Sequence, residues 1–208
     1  MIKNTSLIEK IDITINQNWS SVRQAFQKIV DLRVNGNFKK LKADVKEWGS
    51  HSQYIFNQFG SLDYEEELTN GWDSWSGILF ESFLPWANTA RDAFKNLNYE
   101  GVSWSVIKSD IKLHSDIRRF DEEGLPQCKI NYIVNSVDSQ AITTFYNINT
   151  PKIEKSYLSL PNTAWLVDTN HLHKVTNNGY REVLQFKFNH NFDDVFLSLK
   201  EKGPIMFH

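Results

Sequence analysis

The stretch Gly101-Val102-Ser103-Trp104-Ser105-Val106-Ile107-Lys108-Ser109-Asp110-Ile111-Lys112-Leu113-His114-Ser115-Asp116 is where the hydrophobic period of the chain changes. Val102, Trp104 and Val106 alternate with serines, and a second short apolar run ends at His114. A period of two fits extended strands, whose successive side chains point to opposite faces. Strands are expected over 102–108 and 110–114, and by the same reading over 129–134, 141–148, 156–160, 163–167 and 181–188. The polar, turn-prone segments between them are short.

Before Gly101 the pattern is helical. Val22, Phe26, Ile29 and Val30 recur at helical spacing between Trp19 and about Leu32, and Asn35-Gly36-Asn37 breaks that run. Phe38, Leu41, Val45 and Trp48 form a second helical pattern, and a third covers Trp86 to Leu97 with Ala90, Phe94 and Leu97 inward. Trp72, Trp75 and Trp86 read as core packing. Near the end, Phe192, Val195, Phe196 and Leu199 lie on one stripe of a closing helix. Helices followed by closely spaced strands predict a mainly β jelly roll braced by N-terminal helices. The 208 residues form one domain in this reading: a helical support region over about 1–100, a jelly-roll core over about 101–190, and a C-terminal helix and tail over 191–208.

Bulk properties narrow the function classes. Hydrophobic residues make up 40% and charged residues 23%, and the net charge is -2, so no bulk electrostatic signal points to nucleic acid or a membrane surface. No run approaches the roughly 20 apolar residues that span a bilayer, and the first residues lack the apolar core of a secretory signal. Cys128 is the single cysteine, which excludes intrachain disulfides and cysteine-rich zinc sites; a buried, incidental thiol is expected. The cytoplasm is the simplest compartment.

The chemistry sits in two segments. In an extended chain His114 and Asp116 point to the same face and can present an imidazole and a carboxylate to one metal ion. A second imidazole comes from Asp168-Thr169-Asn170-His171-Leu172-His173-Lys174-Val175, several strands later. Two histidines and one carboxylate form a facial set that leaves three coordination positions open, as in non-haem Fe(II) oxygenases. Arg181, opening the last strand, offers a planar fork for the far carboxylate of a dicarboxylate cosubstrate. His51, His190 and His208 have no such partner pattern.

From about Trp104 to Phe188 the sequence resembles the Fe(II)/2-oxoglutarate oxygenase superfamily, especially its aspartyl/asparaginyl β-hydroxylase-like and free-proline hydroxylase branch. The resemblance is carried by His114-Ser115-Asp116, by Lys129-Ile130-Asn131-Tyr132-Ile133, and by His173-Lys174-Val175-Thr176-Asn177-Asn178-Gly179-Tyr180-Arg181. It implies a double-stranded β-helix, the jelly-roll or cupin-like architecture. It also implies Fe(II) on His114, Asp116 and His173, with 2-oxoglutarate and O2 as cosubstrates. Val175 and Asn177 match the family's pattern after its distal histidine; His171 competes because its interval to Arg181 is nearer the usual one. The β-hydroxylases proper lack the metal-binding carboxylate, so Asp116 favours the relatives that carry a full triad.

The resemblance further implies Arg181 on the distal carboxylate of 2-oxoglutarate, with Lys129 and Asn131 as polar helpers from one strand face. Arg118 and Arg119 follow the metal motif and are candidates for a substrate carboxylate. The expected outcome is hydroxylation of an amino acid, small carboxylate or peptide side chain, with release of succinate and CO2. Two other classes use the same fold. A cupin-type metalloenzyme without 2-oxoglutarate would keep the metal ligands and have no need of Arg181. A non-catalytic jelly-roll binding module would tolerate alanine at His114 and Asp116.

Overall fold

A computed structural model describes residues 7–20, 74–78, 86–107, 110–115, 128–136, 141–147, 152–176 and 181–208. The expected helices over 19–32 and 38–48 lie outside these, apart from the helical Trp19 and Ser20, and so does Trp72. The described elements are β1 (Ile8–Ile11), β2 (Ile13–Ile15), β3 (Ser74–Ile78), α1 (Ala87–Phe94), β4 (Tyr99–Ile107), β5 (Ile111–His114) and β6 (Cys128–Ser136). They continue as β7 (Ile142–Tyr146), β8 (Ile153–Leu158), β9 (Ala164–Asp168), β10 (His173–Thr176), β11 (Arg181–Phe188), α2 (Phe192–Lys202) and β12 (Ile205–Phe207).

Ten strands build two antiparallel sheets. The large sheet has the order β1-β9-β6-β11-β4-β3 and the small one β5-β10-β7-β8. From β4 to β11 the chain passes repeatedly between them, with β7 and β8 its one pair of consecutive strands in the same sheet. Two four-stranded layers connected in this way form a jelly roll, as the period-two pattern predicts.

The large sheet buries both faces, and alternation along β6 and β11 assigns the residues. Ile130, Tyr132, Leu184 and Phe186 belong to an outer core beneath α1 and α2. Asn131 and Gln185, between them in sequence, face the small sheet through the contacts described below. On the outer side Ala90, Phe94 and Leu97 are buried as the helical spacing requires. Phe94 meets Phe188 edge-on at 5.2 Å and Phe186 at 5.8 Å, a geometry that the ring quadrupole favours. Trp86 is fully buried and stacked on Phe207 at 5.4 Å, in keeping with core packing. Helix α2 begins at Asn191, whose side-chain oxygen accepts from the Asp194 amide at 2.8 Å. It ends at Gly203 with φ 70°, a conformation that glycine adopts without a Cβ penalty.

The remaining differences from expectation have local causes. Strand β8 spans Ile153–Leu158 rather than 156–160, because five of its six residues are exposed on a sheet edge and carry no hydrophobic alternation. Ser159 to Thr163 instead form a turn, with Asn162 at φ 59°. Strands β1, β2 and β3 share the N-terminal region with the helical pattern, and β12 in the tail pairs with β2 in parallel. All four, like β10, are too short for periodicity alone to reveal. Among the described residues no helix is long and apolar enough to cross a membrane.

Phe94 holds α1 to the large sheet through four aromatic neighbours. Phe94→Ala should therefore destabilise the domain by about 3–5 kcal/mol, read from the urea unfolding midpoint.

Candidate active site between the sheets

Strand β10 brings His173 beside β5, the strand that ends at His114. In the antiparallel pairing of β10 with β5, His173 stands directly opposite His114. Positions opposite one another in such a ladder share a face of the sheet. Two histidines nearly sixty residues apart in sequence thus become cross-strand neighbours. Asp116, Arg118 and Arg119 lie outside the described residues, and His114 is placed by its backbone register. Among the described residues no group of three potential ligands is complete.

His173 is oriented by its surroundings. It is buried, and its ring stacks on Phe145 at 5.1 Å with 20° between planes. Nδ1 lies 2.9 Å from the backbone carbonyl of His171. A carbonyl only accepts, so Nδ1 carries the proton, and in the neutral ring Nε2 is left as the ligating nitrogen. Fixing one nitrogen on a carbonyl is how a metal-binding imidazole keeps its tautomer and direction. His171 itself sits in the turn before β10, partly exposed, with Nδ1 3.2 Å from Asp168 but without the alignment of a hydrogen bond. The register therefore sets His173, and not His171, opposite His114.

Arg181 faces the same interior from the large sheet. It is 4% exposed, and its Nη1 donates to Ser159 Oγ at 3.0 Å and to Thr143 Oγ1 at 3.3 Å. Its Nε is buried without a hydrogen-bond partner among the described residues. Burial pushes the guanidinium below its ordinary pKa, while the adjacent Tyr157 favours the charged form. Arginine remains protonated under such shifts, so this is a buried cation surrounded by neutral hydroxyls. With no counter-ion among the described residues this buried charge is expensive, and an anion entering from between the sheets would offset that cost.

Strand β7 connects the two centres. Thr143 touches Arg181 and Phe145 stacks on His173, so the cation and the imidazole are served by residues two apart on one strand. Two residues of extended chain span roughly 7 Å.

The two helper residues separate. Asn131 donates from Nδ2 to the Tyr157 hydroxyl at 3.0 Å and accepts from Gln185 Nε2 at 3.3 Å, which puts it in the polar group around Arg181. Lys129 shares Asn131's strand face but pairs with Lys187, six residues along β11 from Arg181 and so roughly 20 Å away. The structure does not bring Lys129 to Arg181. Thr143, Tyr157 and Ser159 were invisible to the sequence reading; the only signal was that Tyr157 and Ser159 are two apart in one expected strand. Cys128 is buried away from this interior, with its thiol pushed up by burial and then by Asp168, and it serves the outer core.

No family model matches the chain, and no curated protein matches it. Solved structures do align with it. They include an oxidoreductase of the 2OG-Fe(II) oxygenase family from Burkholderia pseudomallei, at 13% identity and TM-score 0.33, covering 68% of this chain and 60% of that one. The chain thus spans less than two thirds of that oxygenase. A cupin superfamily protein from Desulfitobacterium hafniense aligns at 12% identity and TM-score 0.30, over 42% of this chain and 64% of that one. A cupin-2 domain protein from Shewanella frigidimarina aligns at 4% identity and TM-score 0.30, over 44% and 71%. Likeness at these scores adds nothing to what the strand order establishes.

Two outcomes are expected. His173→Ala should abolish Fe(II) binding, measured by anaerobic calorimetry, whereas His171→Ala should retain it. Arg181→Met, which replaces the buried cation with an apolar chain of similar length, should raise the ligand-free unfolding free energy by on the order of 1 kcal/mol, read from urea titration.

Proposed function

We propose that this protein is an Fe(II)- and 2-oxoglutarate-dependent oxygenase that hydroxylates an amino acid, small carboxylate or peptide side chain. The observation that carries the reading is the buried Arg181 cation, held by Thr143 and Ser159, across β7 from the His173 imidazole. A metal site alone would serve any cupin-type enzyme. A buried guanidinium with hydroxyl partners, served by the same strand that serves the histidine, supports a keto-diacid cosubstrate in addition.

The residues fit the metal by donor chemistry. His173 has Nδ1 committed to a carbonyl, which favours ligation through Nε2, and His114 is its cross-strand partner. Asp116, next but one to His114 in sequence, would supply the carboxylate. Iron with 2-oxoglutarate and O2 supplies the oxidising power for an unactivated C–H bond, with succinate and CO2 as by-products. The protein's own groups perform simpler tasks. Arg181 anchors the distal carboxylate and sets the direction in which the keto-acid end points. Phe145 fixes the plane of the His173 ring, and Val167, Ile8 and Tyr157 pack with it into an apolar cluster between the sheets that excludes water. Arg118 and Arg119 remain candidates for a substrate carboxylate, and Lys129 for a polar role elsewhere on the inner face.

Anaerobic titration with Fe(II) and 2-oxoglutarate tests the reading. Wild-type protein should give the weak visible charge-transfer band of the chelate. His114→Ala and Asp116→Ala should abolish it, and Arg181→Ala should weaken 2-oxoglutarate affinity by at least about tenfold. Metal binding without a band would instead favour a metalloenzyme that does not use 2-oxoglutarate.

A further inference from the structure

The inner face of the large sheet carries a second cationic centre, far from Arg181. Lys129 and Lys187 stand directly opposite each other in the pairing of β6 with β11. The same rung continues through Val167 to Ile8 on one side and to Gly101 on the other. Ile8 and Val167 pack with Phe145 and Tyr157 between the sheets, so the whole rung faces that interior. Both lysines are half-buried, and each makes contacts with the protein around it. At Gly101 a Cβ would meet no atom within 4 Å, so the rung ends in open space beside Lys187. Arg181 is six residues away along β11, roughly 20 Å.

Strand order sets this rung across from the histidines. Lys155 of β8 donates to the Ile8 carbonyl of β1, so these two edge strands lie together. Phe145 of β7 and Val167 of β9 share one buried cluster. One strand further in, His173 is the neighbour of Phe145, and Lys129 is the neighbour of Val167. The next strands along are β5, which carries His114, and β11, which carries Lys187. The lysine pair therefore faces the two histidine strands across the interior. Packed sheets lie roughly 10 Å apart, a gap that one small ligand fills.

An ammonium only donates, so a group bound to it must accept on every atom it presents. A carboxylate does so, whereas an amide sets its own N–H groups against the donors. Like charges directly opposite one another on a sheet face are unfavourable, and an anion shared by both reverses that effect. We propose that Lys129 and Lys187 are specificity-determining residues that hold the carboxylate of the molecule to be oxidised, across the interior from His173. This assignment rests on the reading of His173 as a metal ligand. It narrows the substrate to a small acid or amino acid with a free carboxylate, in place of a peptide side chain. Arg181 keeps the cosubstrate, and the lysine pair orients the bond that reacts.

The test uses full-length protein held anaerobically with Fe(II) and 2-oxoglutarate. It is titrated by calorimetry with the common L-amino acids and straight-chain monocarboxylates, each beside its primary amide. At least one carboxylate should bind where its amide does not, and Lys129→Met and Lys187→Met should each weaken that binding by at least about tenfold. Methionine keeps the apolar stem, so both variants should retain the wild-type 2-oxoglutarate affinity, which a general loss of folding would not spare. Equal binding of acid and amide, unchanged affinity in both variants, or no carboxylate bound at all would each overturn the assignment. Weakened 2-oxoglutarate binding in folded variants would overturn it too, by placing the lysines on the cosubstrate. Lysine-dependent carboxylate binding without the Fe(II)–2-oxoglutarate band would support the cationic pair and overturn the oxygenase reading.

Discussion

Strands β6 and β11 sit inside the large sheet, so both of their faces leave water, and the two faces must be satisfied by different chemistry. On the outer face, mostly aromatic and aliphatic side chains meet two helices, and the polar atoms of Tyr132 and Trp86 find partners at its rim. On the inner face Asn131, Arg181 and Gln185 take the alternate positions, and their polar atoms need partners that the outer core could not provide. The small sheet supplies hydroxyls in Thr143 and Tyr157, and the turn after β8 adds Ser159. The period-two alternation of two central strands thus separates a stabilising core from a polar interior.

That division carries an energetic asymmetry. The outer core contributes stability through buried area, to which each large aromatic adds substantially. The inner face includes a desolvated cation whose partners are neutral, a poor arrangement for a protein selected only to stay folded. Groups that satisfy one another incompletely are expected where a ligand completes the set. The Arg181 interior has this character, and its Thr143 contact sits two residues along β7 from the Phe145 ring that stacks on His173.

The small sheet also explains how distant sequence segments make one site. His114 precedes four described strands that must be laid down before His173 can pair beside it, and Arg181 arrives only with the strand after. Because the chain passes between sheets at nearly every connection, sequence neighbours are separated and sequence strangers are joined. Strand β10 itself is only four residues long, with a register shift between His173 and Val175. Periodicity could not have announced it, yet it carries the histidine on which the site turns.

By itself the sequence determined what depends on local alternation and residue chemistry. The change of period after Gly101 and the 181–188 strand followed from it, as did the inward residues of α1 and the shared face of Lys129 and Asn131. So did the choice of two histidines, a carboxylate and an arginine as the groups worth following, since few other side chains can hold iron or clamp a carboxylate. Only the tertiary structure decided which strands pair. It set His173 rather than His171 opposite His114, put Asn131 but not Lys129 near Arg181, and recruited Thr143, Tyr157 and Ser159. The physical reason is that a side chain's face is fixed by its own strand, whereas its neighbours are fixed by hydrogen-bonded register with strands distant in the chain.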